Sequence, residues 1–246
     1  MKLDTHYVDP RLVELYDRDN PRGMDTDFYL ALAADLNARR IIDLGCGTGL
    51  LTCELATDGR QIIGIDPSTA MLAVARRKTG ADRVQWIEGD SSSLGKQEAD
   101  LAIMTGNVAQ VFLDETEWNT TLQNLCASLR SGGVLAFESR NPEARAWEKW
   151  SRDETYEEVD TTFGPLQCWL ELAGVENNTV RLVGHNVFKS TGEDVVASSQ
   201  LRFRSRVELT NSLVNAGFIV EQVFGNWHRE VFTETSRLMV FLARRD

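Results

Sequence analysis

The sequence predicts an α/β protein: an open, mostly parallel sheet of seven strands wound on both faces by helices, with an antiparallel strand layer inserted late in the chain. Three observations carry this. Through the first half, short apolar runs ending in turn residues alternate with stretches of helical periodicity. Those runs lack the polar alternation of a sheet that is wet on one side, so both faces must be covered. After Glu138 the period falls towards two, and helix then strand resume near residue 206. The main domain is therefore assigned to residues 1–140 and 206–246, and the insertion to residues 141–205.

The elements follow in order. Leu12, Leu15 and Tyr16 share one face of a first helical segment, and Phe28, Leu32 and Leu36 one face of a second. Between them lies the turn Asn20-Pro21-Arg22-Gly23, with Asp25 placed to cap the second helix. Arg40 to Leu44 is a strand that enters a glycine-rich turn, after which Leu51, Thr52 and Leu55 face one way on a helix stopped by Gly59. A second strand, Gln61 to Ile65, ends at Asp66-Pro67-Ser68. Ser68 caps a helix carrying Met71, Leu72 and Ala75 that finishes in Arg76, Arg77 and Lys78. Val84 to Glu88 stops at Gly89-Asp90, and Ala99 to Met104 stops at Thr105-Gly106-Asn107. Asp114 and Glu117 match a capping box ahead of a helix with Trp118, Leu122, Leu125 and Leu129. Ser131-Gly132-Gly133 ends that helix, and Val134 to Glu138 is the fifth strand.

In the insertion, Asn141-Pro142 opens a short helix through Trp147 and Trp150. Leu166, Cys168, Leu170 and Leu172 then alternate with Gln167, Trp169 and Glu171, and Leu201 and Phe203 with Arg202 and Arg204. This gives three or four antiparallel strands, turning at Phe163-Gly164-Pro165, Asn177-Asn178 and Thr191-Gly192-Glu193. Ser205 and Glu208 form a second capping box for a helix through Leu209, Leu213 and Ala216. Ile219 to Phe224 and Leu238 to Ala243 flank a turn containing Trp227 and His228, and this connection suits antiparallel pairing.

The chain has 246 residues, 26 basic and 37 acidic, for a formal charge of −11. At this length roughly 70% of the unfolded surface is buried, so no disulfide or structural metal is needed. No run approaches the roughly 20 apolar residues that cross a bilayer. The opening Met1 to Pro10 lacks the apolar stretch of a signal peptide, and a cytoplasmic protein without membrane association is expected. The acidic excess argues against nucleic acid as a partner. Cys46, Cys53, Cys126 and Cys168 lie far apart without a CxxC pair, so no metal is expected.

The turn Asp43-Leu44-Gly45-Cys46-Gly47-Thr48-Gly49 points to a cofactor site, because its glycines permit positive φ and close approach of a ligand to the backbone. It continues as Leu50-Leu51-Thr52, without the Gly-Lys-Ser/Thr of a phosphate loop. Counted as G-x-G-x-x-G from Gly45, the sixth position is Leu50 and the third glycine comes one place early at Gly49, unlike a dinucleotide fingerprint. Asp43 would repel a pyrophosphate but accept hydrogen bonds from a cationic amino group. Asp66 can accept from a vicinal diol such as ribose, and Asp90 from an exocyclic amine. The implied ligand has an ammonium, a ribose and an amino-bearing base, and needs no phosphate.

With these residues the sequence resembles the class I S-adenosylmethionine-dependent methyltransferases, of Rossmann-like fold. Their motif I matches Asp43 to Gly49, the acidic end of their second strand matches Gly64-Ile65-Asp66-Pro67-Ser68, their third motif Glu88-Gly89-Asp90-Ser91 and their fourth Asp100 to Met104. The resemblance spans residues 20–140 and 206–246. It implies S-adenosylmethionine as cofactor and S-adenosylhomocysteine as product. It places Gly45, Cys46 and Gly47 along the amino acid portion with Asp43 beneath, Asp66 with Pro67 at the ribose, and Met71, Asp90 and Ser91 at the adenine. Met104, Thr105 and Asn107 would line the passage beside the methyl group, and Tyr16 and the Asp27-Phe28-Tyr29 segment would close over the cofactor. The inserted layer resembles the lid of members acting on small metabolites, such as glycine N-methyltransferases.

Methyl transfer asks the protein to hold an acceptor in line and exclude water. An amine needs no strong base; for a hydroxyl or carbon acid, His185 and Glu138 are the candidate bases. Trp147, Trp150 and Trp169 either pack the lid on the sheet or cage a cation. Trp227 and His228 border the expected acceptor pocket, and Arg140, Arg202, Arg204 and Arg229 are candidates for a substrate carboxylate. The leading expectation is methylation of an N or O atom of a small metabolite by a monomer or homodimer. The alternatives are a protein or RNA methyltransferase, a nicotinamide-dependent oxidoreductase, and a non-catalytic cofactor-binding protein. Against RNA stands the absence of an Asn/Asp-Pro-Pro-Tyr-like segment after the fourth strand. Against the oxidoreductase stand the early Gly49 and the acid before the turn.

Overall fold

A computed structural model describes residues 3–57 and 59–246. The reading of the opening stretch falls partly on Met1 and Lys2, which lie outside the described residues. The chain runs α1 (Pro10–Asp19), α2 (Met24–Asp35), β1 (Arg40–Leu44), α3 (Leu50–Leu55), β2 (Gln61–Asp66), α4 (Thr69–Ala75), β3 (Val84–Glu88), β4 (Ala99–Met104), α5 (Glu115–Ser128) and β5 (Leu129–Arg140). It continues through α6 (Arg152–Thr155), β6 (Glu157–Thr161), β7 (Gly164–Glu176), β8 (Thr179–Phe188), β9 (Glu193–Asp194), β10 (Ala197–Arg202), α7 (Arg206–Asn215), β11 (Phe218–Phe224) and β12 (Leu238–Arg245).

Strand alternation explains why the first sheet is buried on both sides. Ile41 belongs to one core cluster and Ile42 to the other; Leu101 and Ile103 oppose Ala102 and Met104, and Val240 opposes Met239 and Phe241. One cluster is completed by Trp118, Leu122 and Leu125 of α5 and Leu209 and Leu213 of α7, the other by Phe28 and Leu32 of α2 and Leu55 of α3. The strand order is β11-β12-β5-β4-β1-β2-β3. β3, β2, β1, β4 and β5 are parallel, while β12 runs antiparallel to both β5 and β11. Phe137 and Phe241 face each other across β5 and β12 with centroids 5.2 Å apart. Such an aromatic pair adds about 1 kcal/mol beyond its buried area. The chain leaves β1 towards β2 on one side while β4 lies on the other, which opens a crevice outside the carboxyl ends of β1 and β4.

Several local expectations are corrected. Gly23, not Asp25, is the N-cap of α2, and Asp25 lies in its first turn. Arg76 to Lys78 follow α4 rather than finishing it. Ser131-Gly132-Gly133 does not end a helix: α5 stops at Ser128, and these residues bulge within β5, where the register to β4 jumps from Ala99↔Leu129 to Leu101↔Val134. Gly132 takes the positive φ of 73° inside that bulge. The stretch through Trp147 forms two 3-10 turns, Pro142–Ala144 and Ala146–Lys149.

The insertion contributes a second, antiparallel sheet of order β10-β8-β7-β6, with β9 paired to β8, so it has five strands rather than three or four. It is tied to α1. Leu12 and Leu15 pack with Leu166, Phe188 and Val195, and Arg11 donates to Glu193 at 2.7 Å while lying over the Phe188 ring. Arg204, fully buried where the insertion returns, donates to the carbonyls of Ala109 and Phe112 and pairs with Glu115.

Candidate active site

The turn after β1 takes left-handed backbone at Gly45, Gly47 and Gly49, with φ of 78°, 53° and 72°. A side chain at Gly45 would strike Val108 at 2.5 Å, whereas at Gly47 it would meet nothing within 4 Å, so conformation alone demands glycine there. The backbone N–H groups of Gly45 and Cys46 donate to the Ile65 carbonyl, which fixes the turn against β2. Asp66 is the fastener between them. Its Oδ2 accepts from Gly47 N–H at 2.9 Å and its Oδ1 from Ser68 N–H at 2.8 Å. A carboxylate has about four lone-pair sites, so acceptor capacity remains for a diol.

Beneath the turn, Asp43 is 1% exposed; Thr52 donates to its Oδ2 at 2.6 Å and Oδ1 has no partner among the described residues. Burial, reinforced by the charges of Asp66 and Glu138, pushes the Asp43 carboxyl up to about 7. Burial also raises Asp66 and Glu138. Glu138, 3% exposed, accepts from the Tyr29 hydroxyl at 2.5 Å and from Asn107 N–H at 2.6 Å. Asn107 reaches it from a left-handed backbone, φ 62°, just beyond β4.

The amino-terminal segment roofs this crevice. Ser68 donates to the Tyr7 carbonyl at 2.5 Å, and Thr48 donates to Asp17 of α1. The rings of Tyr7 and Tyr16 stand 6.3 Å apart. Burial together with the charge of Asp66 pushes the Tyr16 hydroxyl up to about 12 and raises that of Tyr7 as well. Arg140 lies at the end of β5: its Nη1 donates to Gln110 Oε1 at 2.9 Å and its guanidinium lies 5.5 Å from the centre of the Trp150 ring. Burial lowers its pKa, opposed by Glu138 and Tyr7.

The sequence-predicted residues are thus brought together in part. Asp43, Gly45, Cys46, Gly47, Asp66, Tyr16, Tyr29, Asn107, Glu138 and Arg140 converge on one crevice. Met71 and Met104 are fully buried, Met104 within the core with Phe112 and Trp118. Pro67 is half-buried beside Asp66, and Asp90 is exposed with Oδ1 accepting from Ser92 N–H. Ser91 turns away to Thr121 and Asn124 of α5. The other base candidate lies in the second sheet: His185 Nδ1 is 2.7 Å from Asp194 and its ring is stacked on Trp169 at 4.6 Å. Arg152 lies over the Trp169 ring at 4.5 Å, and Trp147 packs edge-on against Phe203, so these tryptophans do not assemble into a cage. Trp227 backs onto Phe28 and Tyr29. His228 is exposed, and Arg229 pairs with Asp35. Sequence reasoning missed Tyr7 and Gln110. Gln110 carried a signal, a lone amide in the apolar run Val108 to Phe112.

Comparison with known proteins agrees with this geometry. A family model described as a methyltransferase domain matches residues 41–133. The solved structure of the CcbJ methyltransferase from Streptomyces caelestis superposes with a TM-score of 0.78 at 20% identity, covering 95% of this chain and 96% of that one. The chain has the class I S-adenosylmethionine-dependent methyltransferase fold. Among curated relatives with this methyltransferase likeness, the cypemycin N-terminal methyltransferase of a Streptomyces species is 24% identical over 98% of this chain and 99% of its own. The trans-aconitate 2-methyltransferase of Delftia acidovorans is 36% identical over 48% of this chain and 44% of its own length. The residues of the methyltransferase fold fit its cofactor. The unpartnered Oδ1 of Asp43 suits an ammonium group, Asp66 has room for two ribose hydroxyls, and the open face at Gly47 admits a ligand against the backbone.

Proposed function

We propose that this chain transfers the methyl group of S-adenosylmethionine to a nitrogen or oxygen atom of a small metabolite. The observation that carries the reading is the convergence of Asp43, Asp66 and Glu138, three buried carboxylates, on a left-handed glycine turn at parallel strand ends. Asp66 and Glu138 both raise the Asp43 carboxyl by their charge, and a cationic ligand relieves that repulsion. The sulfonium supplies an already activated methyl group, so the protein's work is binding, orientation and exclusion of water. Asp66 holds the ribose diol and Asp43 the amino group. Tyr7 and Tyr16 exclude water from above, and the inserted sheet supports this roof through α1. Glu138 accepts from two donors, which suits it to orienting Tyr29 and Asn107 beside the methyl group. His185, bonded to Asp194 in the second sheet, is assigned no proton transfer. The small acceptor is supported by a relative whose name specifies trans-aconitate.

Calorimetric titration with S-adenosylmethionine, S-adenosylhomocysteine and NAD tests the cofactor, and a screen for S-adenosylhomocysteine release over metabolite pools tests turnover. Binding of NAD in preference to the methionine derivatives would overturn the reading.

A further inference from the structure

Four arginines were candidates for holding an acidic group, and three are already neutralised. Arg202 lies 3.6 Å from both Glu115 and Glu208, Arg204 pairs with Glu115 at 3.0 Å, and Arg229 pairs with Asp35 at 2.6 Å. Arg140 differs. Among the described residues no carboxylate forms an ion pair with it, although it sits two positions beyond Glu138 at the crevice, largely desolvated. Glu138 acts on it through its charge without forming an ion pair, and its two oxygens accept from Tyr29 and Asn107 instead.

The guanidinium is nevertheless held in one orientation. Gln110 Oε1 accepts from its Nη1 at 2.9 Å and from the Arg140 backbone N–H at 3.4 Å, and Trp150 lies against its face. Gln110 is itself fully buried, and its Nε2 has no partner. This leaves the Nε–Nη2 edge of Arg140 unbonded among the described residues. That edge offers two parallel N–H donors at the spacing of a carboxylate's two oxygens. A desolvated cation without an ion-pair partner is costly, and a docked anion reduces that cost.

We propose that Arg140 anchors a carboxylate of the methyl acceptor, so that the substrate class is a small carboxylic acid bearing a separate amine or hydroxyl; this rests on the methyltransferase reading above. The carboxylate accepts both hydrogen bonds from the Nε–Nη2 edge. Its oxygens are thereby engaged, so the methyl group goes to the other nitrogen or oxygen, whose proton leaves to solvent or buffer as the new bond forms and the carbon–sulfur bond breaks. Gln110 is a positioning residue that holds the arginine fork in plane.

The test uses the full chain loaded with S-adenosylhomocysteine for binding, or with S-adenosylmethionine for turnover. The panel is a set of small amino acids and hydroxy acids in matched pairs, each as free acid and as primary amide. Binding by calorimetry and turnover are expected for acids and not for their amides. For an accepted acid, Arg140→Leu raises KM by at least tenfold and Arg140→Lys by less, because lysine keeps the charge without the fork. S-adenosylhomocysteine affinity stays within twofold in both, which also certifies the fold. The proposal is overturned if amides are bound or methylated as well as acids, or if no acid binds the loaded protein. It is equally overturned if Arg140→Leu weakens S-adenosylhomocysteine as much as the acid, which would give the arginine to the cofactor's own carboxylate. A wild-type protein that binds neither cofactor form defeats the methyltransferase reading itself, whereas methylation of amides defeats only the anchor.

Discussion

Asp43 places a carboxyl group where one oxygen has a threonine and the other has no partner among the described residues, and this arrangement has a measurable sign. Its folded pKa, about 7, lies above the ordinary value of 3.8. The native state therefore binds more protons than the unfolded chain between those values, so this group's contribution to stability falls as pH rises from about 4 to 7 and is flat above. Asp43→Asn should raise the melting temperature of the ligand-free protein more at pH 8 than at pH 5.5, and should weaken S-adenosylhomocysteine binding at both; differential scanning fluorimetry and calorimetry check the pair of outcomes. Asp66→Ala should weaken cofactor affinity about 10- to 100-fold, since one side chain serves both ribose hydroxyls and also braces Gly47 and Ser68. Unchanged affinity in a folded variant would refute that role. These acids and glycines were legible because they sit at fixed offsets from strand ends. Tyr7 was not, and Gln110 showed only as a lone amide in an apolar run, because their roles arise from contacts between segments distant in the chain.

At the scale of elements, α1 is the least self-sufficient part of the site. Its apolar side packs on strands of the insertion, and its polar side bonds the glycine turn through Asp17. Leu15→Ala should cost about 2 to 4 kcal/mol of local packing. Hydrogen exchange should then quicken over residues 4–19 and cofactor affinity should fall, while protection of β1, β4 and β5 is unchanged; uniform loss of protection would contradict the assignment. The strands of the main sheet could be placed from sequence because apolar runs bounded by turn residues leave few choices. The bulge in β5 could not, since Ser131-Gly132-Gly133 is an equally good helix stop until the pairing with β4 is known. The five-strand insertion was only roughly countable, because β9 is two residues long.

For the whole molecule, the mostly parallel sheet of seven strands and the antiparallel pairing of β11 with β12 follow the reading of the sequence, whereas the docking of the two sheets through α1 had no local signature. A ligand that binds only the folded state stabilises it by about 2.7 kcal/mol at a hundred times its Kd. S-adenosylhomocysteine at that level should raise Tm by roughly 5 to 10 °C for a chain of this size, and NAD should leave it unmoved in the same thermal scan. The roof has a further implication. Arg11 and Glu193, which pin it, are 182 positions apart in the chain. Their ion pair is solvent-exposed and weak, so it gives way well before the strands part. On the proposed function, escape of the spent nucleoside then depends on the fraying of residues 4–19. A rapid-mixing experiment should accordingly record a first round of alkylation that outpaces every later one.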